Sequence, residues 1–326
     1  MKRSFLLWSL IALSAHVHAQ GERSAAPEAF ERALQLIHAF SGSGDQLQRA
    51  MALAKELSIS HPNGGYAQTL QAEALSTWQL DQQGRPPAVV AQVINLTDEA
   101  IRVNPKLAQA YVARARALLR SSDYENANGA IDQALKLVPN LNGALFLRAE
   151  LFRRTQRVSD AEIWYLRFIE ATPDNPRKSN GYYWLGKAYQ DAAPRQPDQR
   201  PALLSKARAA YERMLELDPN GAWKNVNFAI FLNGDVGDFE AAERYAEKAL
   251  GIMEFPMARY HLAIARYQKL SAPKQAMDDR AFHQEVQKIA ESTGISLEKA
   301  LDFVGCCAPM SDRLQAVRAR LSKGSK

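Results

Sequence analysis

Residues 108–139 show two stretches of helical patterning separated by one polar break. The first stretch, AQAYVARARALL from Ala108 to Leu119, is rich in strong helix formers. The polar break RSSDY follows, and then ENANGAIDQALKLV runs to Pro139. Proline cannot continue a helix and pushes the preceding residue out of the helical region. The pattern therefore predicts a helix–turn–helix unit that ends at this proline.

The same unit recurs along the chain. Each apolar helical phrase is closed by a proline, at Pro62, Pro105, Pro139, Pro173 and Pro219. The three central prolines are spaced by 34 residues, whereas the first and last gaps span 43 and 46 residues. Both longer gaps contain a polar, proline-bearing stretch, at 81–87 and 191–201, which we interpret as loop insertions. A fixed period in this range indicates a solenoid of helix pairs.

Small residues recur early in the second helix of each unit, where two helices would cross closely. These positions hold Ala50, Ala127, Ala161, Ala207 and Ala242. In one first helix, YYWLGKAYQ, an aromatic-Leu-Gly-Tyr pattern is formed by Tyr182, Leu185, Gly186 and Tyr189. Units of this kind resemble the tetratricopeptide repeat (TPR) family. The resemblance implies an all-α fold, a TPR-type right-handed α-solenoid of about six units over residues 28–270, with a helical C-terminal cap.

Some residues depart from the family pattern. Arg114 and Arg148 stand where the family usually has an aliphatic residue. The unit that ends at Pro105 has Val93 and Thr97 in helix-packing positions, so that unit is degenerate in sequence.

Residues 271–326 lose the period and contain two amphipathic helix candidates and a basic end that is expected to fray. The favoured interpretation is a capping segment, because repeat arrays need a polar terminal cap; the other is a docking element for a partner. The adjacent Cys306 and Cys307 lie here. They are either a pair without chemistry or form a disulfide, with each other or with a second chain, since export favours oxidation.

The N-terminus has the three-part pattern of a secretory signal peptide. Lys2 and Arg3 precede the apolar run at 5–15. Val17 and Ala19 then stand at the small-residue positions before the expected cleavage site. We predict a signal peptide over residues 1–19 and an exported, periplasmic protein without an integral membrane segment after cleavage. The alternative is an uncleaved anchor. Cleavage would leave 39 basic and 35 acidic residues, a net charge of +4, which does not suggest nucleic-acid binding.

The sequence offers no catalytic constellation. Its histidines, including His38, His61, His261 and His283, lie far apart without metal-ligand spacing. No set of residues combines a nucleophile, a base and an oxyanion hole. We therefore predict a protein that is not an enzyme and that needs no cofactor and no metal.

The family resemblance implies that the first helix of each unit lines a concave groove for a peptide or a partner helix. Carried over by register, the groove residues are Arg116, Arg120, Phe146, Arg153, Asn180, Tyr183, Trp184, Lys187 and Asn227. Amides can pair with a peptide backbone, arginine grips carboxylates, and aromatics are frequent hot spots. We expect an acidic or carboxylate-ended peptide; the alternative is a solvated face with partners such as Asp123 and Glu150.

The leading functional interpretation is a protein–protein interaction scaffold or assembly factor of the cell envelope, which rests on association with the family. The alternative is a redox-linked accessory protein that acts through Cys306 and Cys307. The sequence leaves the oligomeric state open.

Overall fold

The computed structural model describes residues 27–38, 44–82, 87–271, 277–304 and 308–323. These residues form sixteen α-helices joined by short turns, and no strand occurs among them. The predicted all-α fold is confirmed. The predicted signal peptide at 1–19 lies outside the described residues, as do Cys306 and Cys307.

The chain divides into two compact units, Met1–Leu151 and Phe152–Lys326. The helices of the first unit are α1 (Glu28–His38), α2 (Gln46–Ser60), α3 (Tyr66–Gln82), α4 (Pro87–Val103), α5 (Ala108–Arg120) and α6 (Tyr124–Leu137). Helix α7 (Asn142–Arg154) contains the boundary. Consecutive helices of the first unit pack as pairs, and each pair packs against the next, so apolar faces are buried between neighbours.

The second unit continues the pattern. Its helices are α8 (Val158–Ala171), α9 (Asn175–Ala192), α10 (Arg200–Leu217), α11 (Ala222–Phe231), α12 (Phe239–Ile252), α13 (Pro256–Leu270), α14 (Asp279–Thr293), α15 (Leu297–Phe303) and α16 (Ala308–Lys323). Within this unit α9 packs against α10, and α11 packs against α12. Among the described residues no helix is both long and apolar enough to cross a membrane.

The prolines that set the period end helices in the same way throughout. Helices α2, α4, α6, α8 and α10 each stop two residues before the proline of their unit. The alanines at the predicted crossings Ala127, Ala161, Ala207 and Ala242 are all fully buried. Proline therefore fixes the length of the second helix, and alanine allows the two backbones of a pair to approach.

The stretch predicted as an insertion at 191–201 is more ordered than a loop. Helix α9 continues to Ala192, two short 3₁₀ turns follow at Ala193–Arg195 and Pro197–Gln199, and α10 begins at Arg200. The extra residues thus lengthen both helices of the pair. At the other predicted insertion, α3 ends at Gln82 and α4 begins at Pro87.

Two ion pairs explain the arginines that depart from the family pattern. Arg114 of α5 binds Asp98 of α4, and Arg148 of α7 binds Asp132 of α6. Arginines and aspartates are each 34 residues apart, so the same link between neighbouring helix pairs is used twice. The degenerate unit keeps regular packing, because Val93 and Thr97 are fully buried.

The C-terminal helices cap the second unit. Phe282, Leu297, Leu314 and Val317 of α14, α15 and α16 share an apolar core with α13. Within the described residues, the basic end that was expected to fray lies in helix α16 up to Lys323. The Arg320 guanidinium lies 4.1 Å from the ring centre of Phe282 in α14, and Arg318 pairs with Glu298 of α15. Arg313 lies over the Phe239 ring of α12.

Overpacking the crossings tests the repeat register. We expect Ala161→Leu or Ala207→Leu to destabilise the chain by about 1–3 kcal/mol, because neither buried alanine has room for three more carbons. Ala209→Leu, at an exposed position of the same helix as Ala207, is the matched control and should melt like the parent protein. Unchanged thermal melts of both buried variants would contradict the register.

Candidate functional site

An aromatic cluster lies on α9 and α11, within the second compact unit of the chain. Tyr183 of α9 contacts Trp184 edge-on at 5.0 Å between ring centres, and Trp223 of α11 at 4.4 Å. The Tyr183 hydroxyl donates to Asn227 Oδ1 at 3.4 Å, and Asn227 Nδ2 donates to the Trp223 carbonyl at 2.8 Å. Trp223 remains 48% exposed although its ring packs against Tyr183. The cluster is thus an ordered aromatic surface with an amide beside it.

Tyr211 of α10 supports this cluster from below. Its buried ring lies 6.1 Å from Tyr183 and 5.1 Å from Phe231, and its hydroxyl donates to Gln190 Oε1 at 2.7 Å. A Cβ atom on Gly186 would come within 3.0 Å of the Tyr211 ring, which explains the glycine of the family pattern. Burial raises the pKa of Tyr211, so the hydroxyl stays a neutral donor.

A charged network begins one to two helical turns further along α9. Arg153 Nη1 donates to Asp191 Oδ2 at 2.6 Å, and Lys187 binds the other oxygen of the same carboxylate. The Arg153 guanidinium lies 5.3 Å from the ring centre of Trp184, which joins the network to the aromatic cluster. Asp191 therefore holds two cations beside the aromatic surface.

Asp235 extends the network from the π-helical turn Leu232–Val236 that follows α11. Its carboxylate accepts from Gln190 Nε2 at 2.7 Å, and its main-chain oxygen accepts from Arg200 Nη2 at 3.5 Å. Burial raises the pKa of Asp235, opposed by the Gln190 hydrogen bond and the Arg200 charge. Gln190 thus connects Tyr211 with Asp235.

A cavity of about 130 Å³ opens beside this network. Arg153, Asp191, Arg195 and Gln196 are among the residues that line it, and Ala188 contributes to its apolar side. Arg195 Nη1 donates to the Asp191 carbonyl at 2.5 Å. Arg195 and Gln196 belong to the inserted 3₁₀ turns, so the cavity depends on the insertion.

Predicted groove residues of the first unit have different surroundings. Arg116 Nη1 lies 3.4 Å from Glu73 Oε2, and His38 Nε2 lies 3.7 Å from the same oxygen. The Glu73 side chain is only 1% exposed, and neither of its oxygens accepts a hydrogen bond within the described structure. Burial alone would raise the pKa of Glu73, but Arg116 and His38 outweigh it and the pKa is lowered. Arg116 therefore neutralises a buried carboxylate.

The structure brings together five of the predicted groove residues, namely Arg153, Tyr183, Trp184, Lys187 and Asn227. Asn180 is exposed on α9, three residues before Tyr183. Arg116, Arg120 and Phe146 belong to the first unit, where Phe146 packs against apolar core residues. Of the predicted alternative partners, Glu150 is buried and Asp123 caps α6 by accepting from the Asn126 amide at 3.3 Å.

Sequence reasoning missed Trp223, Asp191, Arg195 and Glu73. Trp223 precedes the predicted Asn227 by one helical turn, a spacing that places both on one face, so the sequence carried that signal. No comparable signal marks Glu73 or Arg195. The predicted disulfide of Cys306 and Cys307 stays a prediction.

Residues 98–176 match the family model described as tetratricopeptide repeat. Among solved structures, the human IFIT1 dimer with m7Gppp-AAAA is similar over 93% of this chain and 73% of its own, with 17% identity and a TM-score of 0.57. MamA 41-end from Desulfovibrio magneticus RS-1 covers 57% of this chain and 94% of its own, with 19% identity and a TM-score of 0.41. YrrB, a TPR protein with an unusual peptide-binding site, covers 63% and 95%, with 15% identity and a TM-score of 0.40. No curated protein matches the chain.

Proposed function

We propose that this chain, which is a tetratricopeptide repeat protein, binds a segment of another protein at the aromatic cluster on α9 and α11. One observation carries the proposal: Trp223 is half exposed, and its ring packs against the buried Tyr183 at 4.4 Å between ring centres. A large aromatic side chain that is ordered before binding loses little entropy when it is covered, and such residues are frequent hot spots.

Neighbouring amides suit an extended peptide. Asn227 uses one donor and one acceptor inside the cluster, and the amide group has further capacity for a peptide backbone. Asn180 is exposed on the adjacent helix. Aromatic contact and amide pairing together favour a peptide segment as the ligand.

Charge favours an acidic segment. Several cationic side chains lie beside the aromatic cluster, among them Arg153, Lys187 and Arg195. Complementary charge steers association and selects partners. We therefore propose an acidic or carboxylate-ended segment.

The setting of this binding function follows from the N-terminal pattern. A signal peptide at residues 1–19 would export the protein, so we propose a periplasmic scaffold or assembly factor of the cell envelope that is not an enzyme. Fusion of residues 1–19 to a reporter that is active only after export tests this setting, and a reporter retained in the cytoplasm would contradict it.

Trp223→Ala tests the proposed surface. The probe is an array of twelve-residue peptides of varied composition, and the tightest binders are remeasured in solution by fluorescence polarisation. Removal of a hot-spot tryptophan is expected to weaken binding by about 30-fold, which corresponds to about 2 kcal/mol. The fold should survive, because half of the side chain already faces solvent.

Ile163→Ala is the matched control, since Ile163 is an exposed apolar residue of α8. This variant should bind the same peptides as tightly as the parent protein. Equal affinity of the Trp223→Ala and parent proteins for every peptide would overturn the proposed function.

A further inference from the structure

We infer that the bound segment makes a second apolar contact at Met257, and that its two apolar side chains lie three residues apart in an extended chain. This inference rests on the proposed function, because it adds a contact to the segment that covers Trp223. It goes beyond that function, since it names the path of the segment from α11 to α13 and the spacing of its apolar residues.

The repeat period relates α11 to α13. The two helices begin 34 residues apart, and α11 packs against α13. Trp223 and Met257 are each the second residue of their helix, and Ala229 and Ala263 are fully buried at the same place further along. Met257 therefore occupies in α13 the position that Trp223 occupies in α11.

The C-terminal cap covers the rest of this face on α13. On α11 the face continues beyond the tryptophan through Asn227 and Ile230, which are both partly exposed. The equivalent residues of α13 are His261 and Ile264, which are buried. The Phe303 ring of α15 lies edge-on to His261 at 5.6 Å between ring centres, and Ile264 belongs to the apolar core that α13 shares with α15. A segment that crosses from α11 to α13 therefore finds the open part of this face at the start of α13.

Met257 belongs to an exposed apolar surface. Its side chain is 43% exposed, and Tyr260 follows one turn later on the same face of α13. The Tyr260 ring stacks on the Phe303 ring at 4.5 Å between ring centres, and Phe303 remains 41% exposed. The charged neighbour Arg259 pairs with Glu254. This surface therefore suits an apolar side chain, to which the flexible thioether of the methionine can adapt.

The distance between neighbouring helices sets the spacing of the two contacts. The axes of packed helices lie about 8–10 Å apart. A chain in the polyproline II conformation rises about 3.1 Å per residue and completes a turn in about three residues, so side chains i and i+3 point to the same side at about 9 Å. Such a backbone makes no internal hydrogen bonds and is free to pair with the Asn227 amide. The segment should therefore carry apolar side chains at positions i and i+3, which contact Trp223 and Met257.

Spacing variants of the peptides test this path. Each peptide that binds in a Trp223-dependent manner is resynthesised with alanine at each position in turn, and with one residue inserted or removed between its two apolar residues. Affinities are measured by fluorescence polarisation for the parent protein, Met257→Ala and the control Leu166→Ala. Leu166 is a matched control, because it is an apolar residue of α8 with a similar exposed fraction of 45%. Both variants should melt like the parent protein, since both side chains already face solvent.

In the parent protein, alanine at either of two apolar positions three residues apart should weaken binding by about tenfold, as expected for the burial of one apolar side chain. A change of spacing by one residue should have an effect of the same size, because only one of the two side chains then reaches its contact. Met257→Ala should weaken the unaltered peptide by a similar factor. It should not weaken further a peptide with alanine at the position that contacts Met257, since both changes remove the same contact. Leu166→Ala should behave like the parent protein.

Three results would overturn the inference while leaving the proposed function intact. The first is that Met257→Ala binds every Trp223-dependent peptide as tightly as Leu166→Ala does. The second is that these peptides tolerate a change of spacing, and the third is that they require a spacing of four residues, which would indicate a helical segment. If no peptide binds in a Trp223-dependent manner, the proposed function fails and this inference fails with it.

Discussion

Arg116→Ala is expected to destabilise the first unit by about 3–5 kcal/mol at pH 7. The variant removes the Arg116 guanidinium, which lies nearer to Glu73 than the His38 imidazole does. The Glu73 carboxylate is buried and accepts no hydrogen bond within the described structure. Removal of one partner from a buried ion pair costs about this much, because it leaves a charge without compensation. Since His38 is farther away and more exposed, it compensates only in part.

The destabilisation should depend on pH in a defined direction. In the parent protein the pKa of Glu73 is lowered, so this group stabilises the fold above its unfolded pKa and that contribution is lost as the pH falls through the folded pKa. Without Arg116, burial is the largest influence and raises the pKa of Glu73. The carboxylate then destabilises the fold at neutral pH, and this penalty disappears as acid protonates it.

Urea unfolding of parent and variant between pH 4 and pH 8 measures this effect, and hydrogen exchange of α3 and α5 locates it. Arg114→Ala is the matched control, because Arg114 lies on the same helix and pairs with the largely exposed Asp98. An exposed pair contributes about 0–1 kcal/mol. Equal stability of both variants, or a pH-independent difference between them, would refute a buried charge at Glu73.

Tyr211→Ala should destabilise the second unit by about 3–5 kcal/mol. Its ring is buried among Tyr183, Phe228 and Phe231, and truncation of a large aromatic residue leaves a cavity that its neighbours fill only in part. The aromatic cluster loses its support as well. Peptide binding that depends on Trp223 should therefore fall together with the stability of α9 and α11.

Tyr211→Phe separates packing from hydrogen bonding. It keeps the ring and removes only the hydroxyl that donates to Gln190, so the expected cost is about 1 kcal/mol. Hydrogen exchange of α9–α11 and urea unfolding measure both variants, because repeat arrays do not always unfold as one cooperative unit. A cost of Tyr211→Ala no larger than that of Tyr211→Phe would contradict the supporting role of the ring.

Several features of the site show how far sequence reasoning reaches. Tyr183, Trp184, Lys187 and Asn227 were predicted for one groove from the family resemblance and the repeat register, and they lie together in the structure. Register could predict them because residues at one repeat position share a helix face. Trp223 was missed although it lies one helical turn before Asn227 on the same face of α11, so the sequence carried its signal.

The sequence alone determined the helix pairs of this protein. The prolines end the second helices and the buried alanines mark where paired backbones cross, because both act through local backbone geometry and side-chain volume. Only the tertiary structure decided which charges meet. Arg116 meets Glu73, 43 residues away, and inserted turns bring Arg195 to a cavity beside Arg153. The repeat period determines where the helix backbones lie. The partner of a long charged side chain depends on burial and on the surrounding charges, and both follow only from the complete packing.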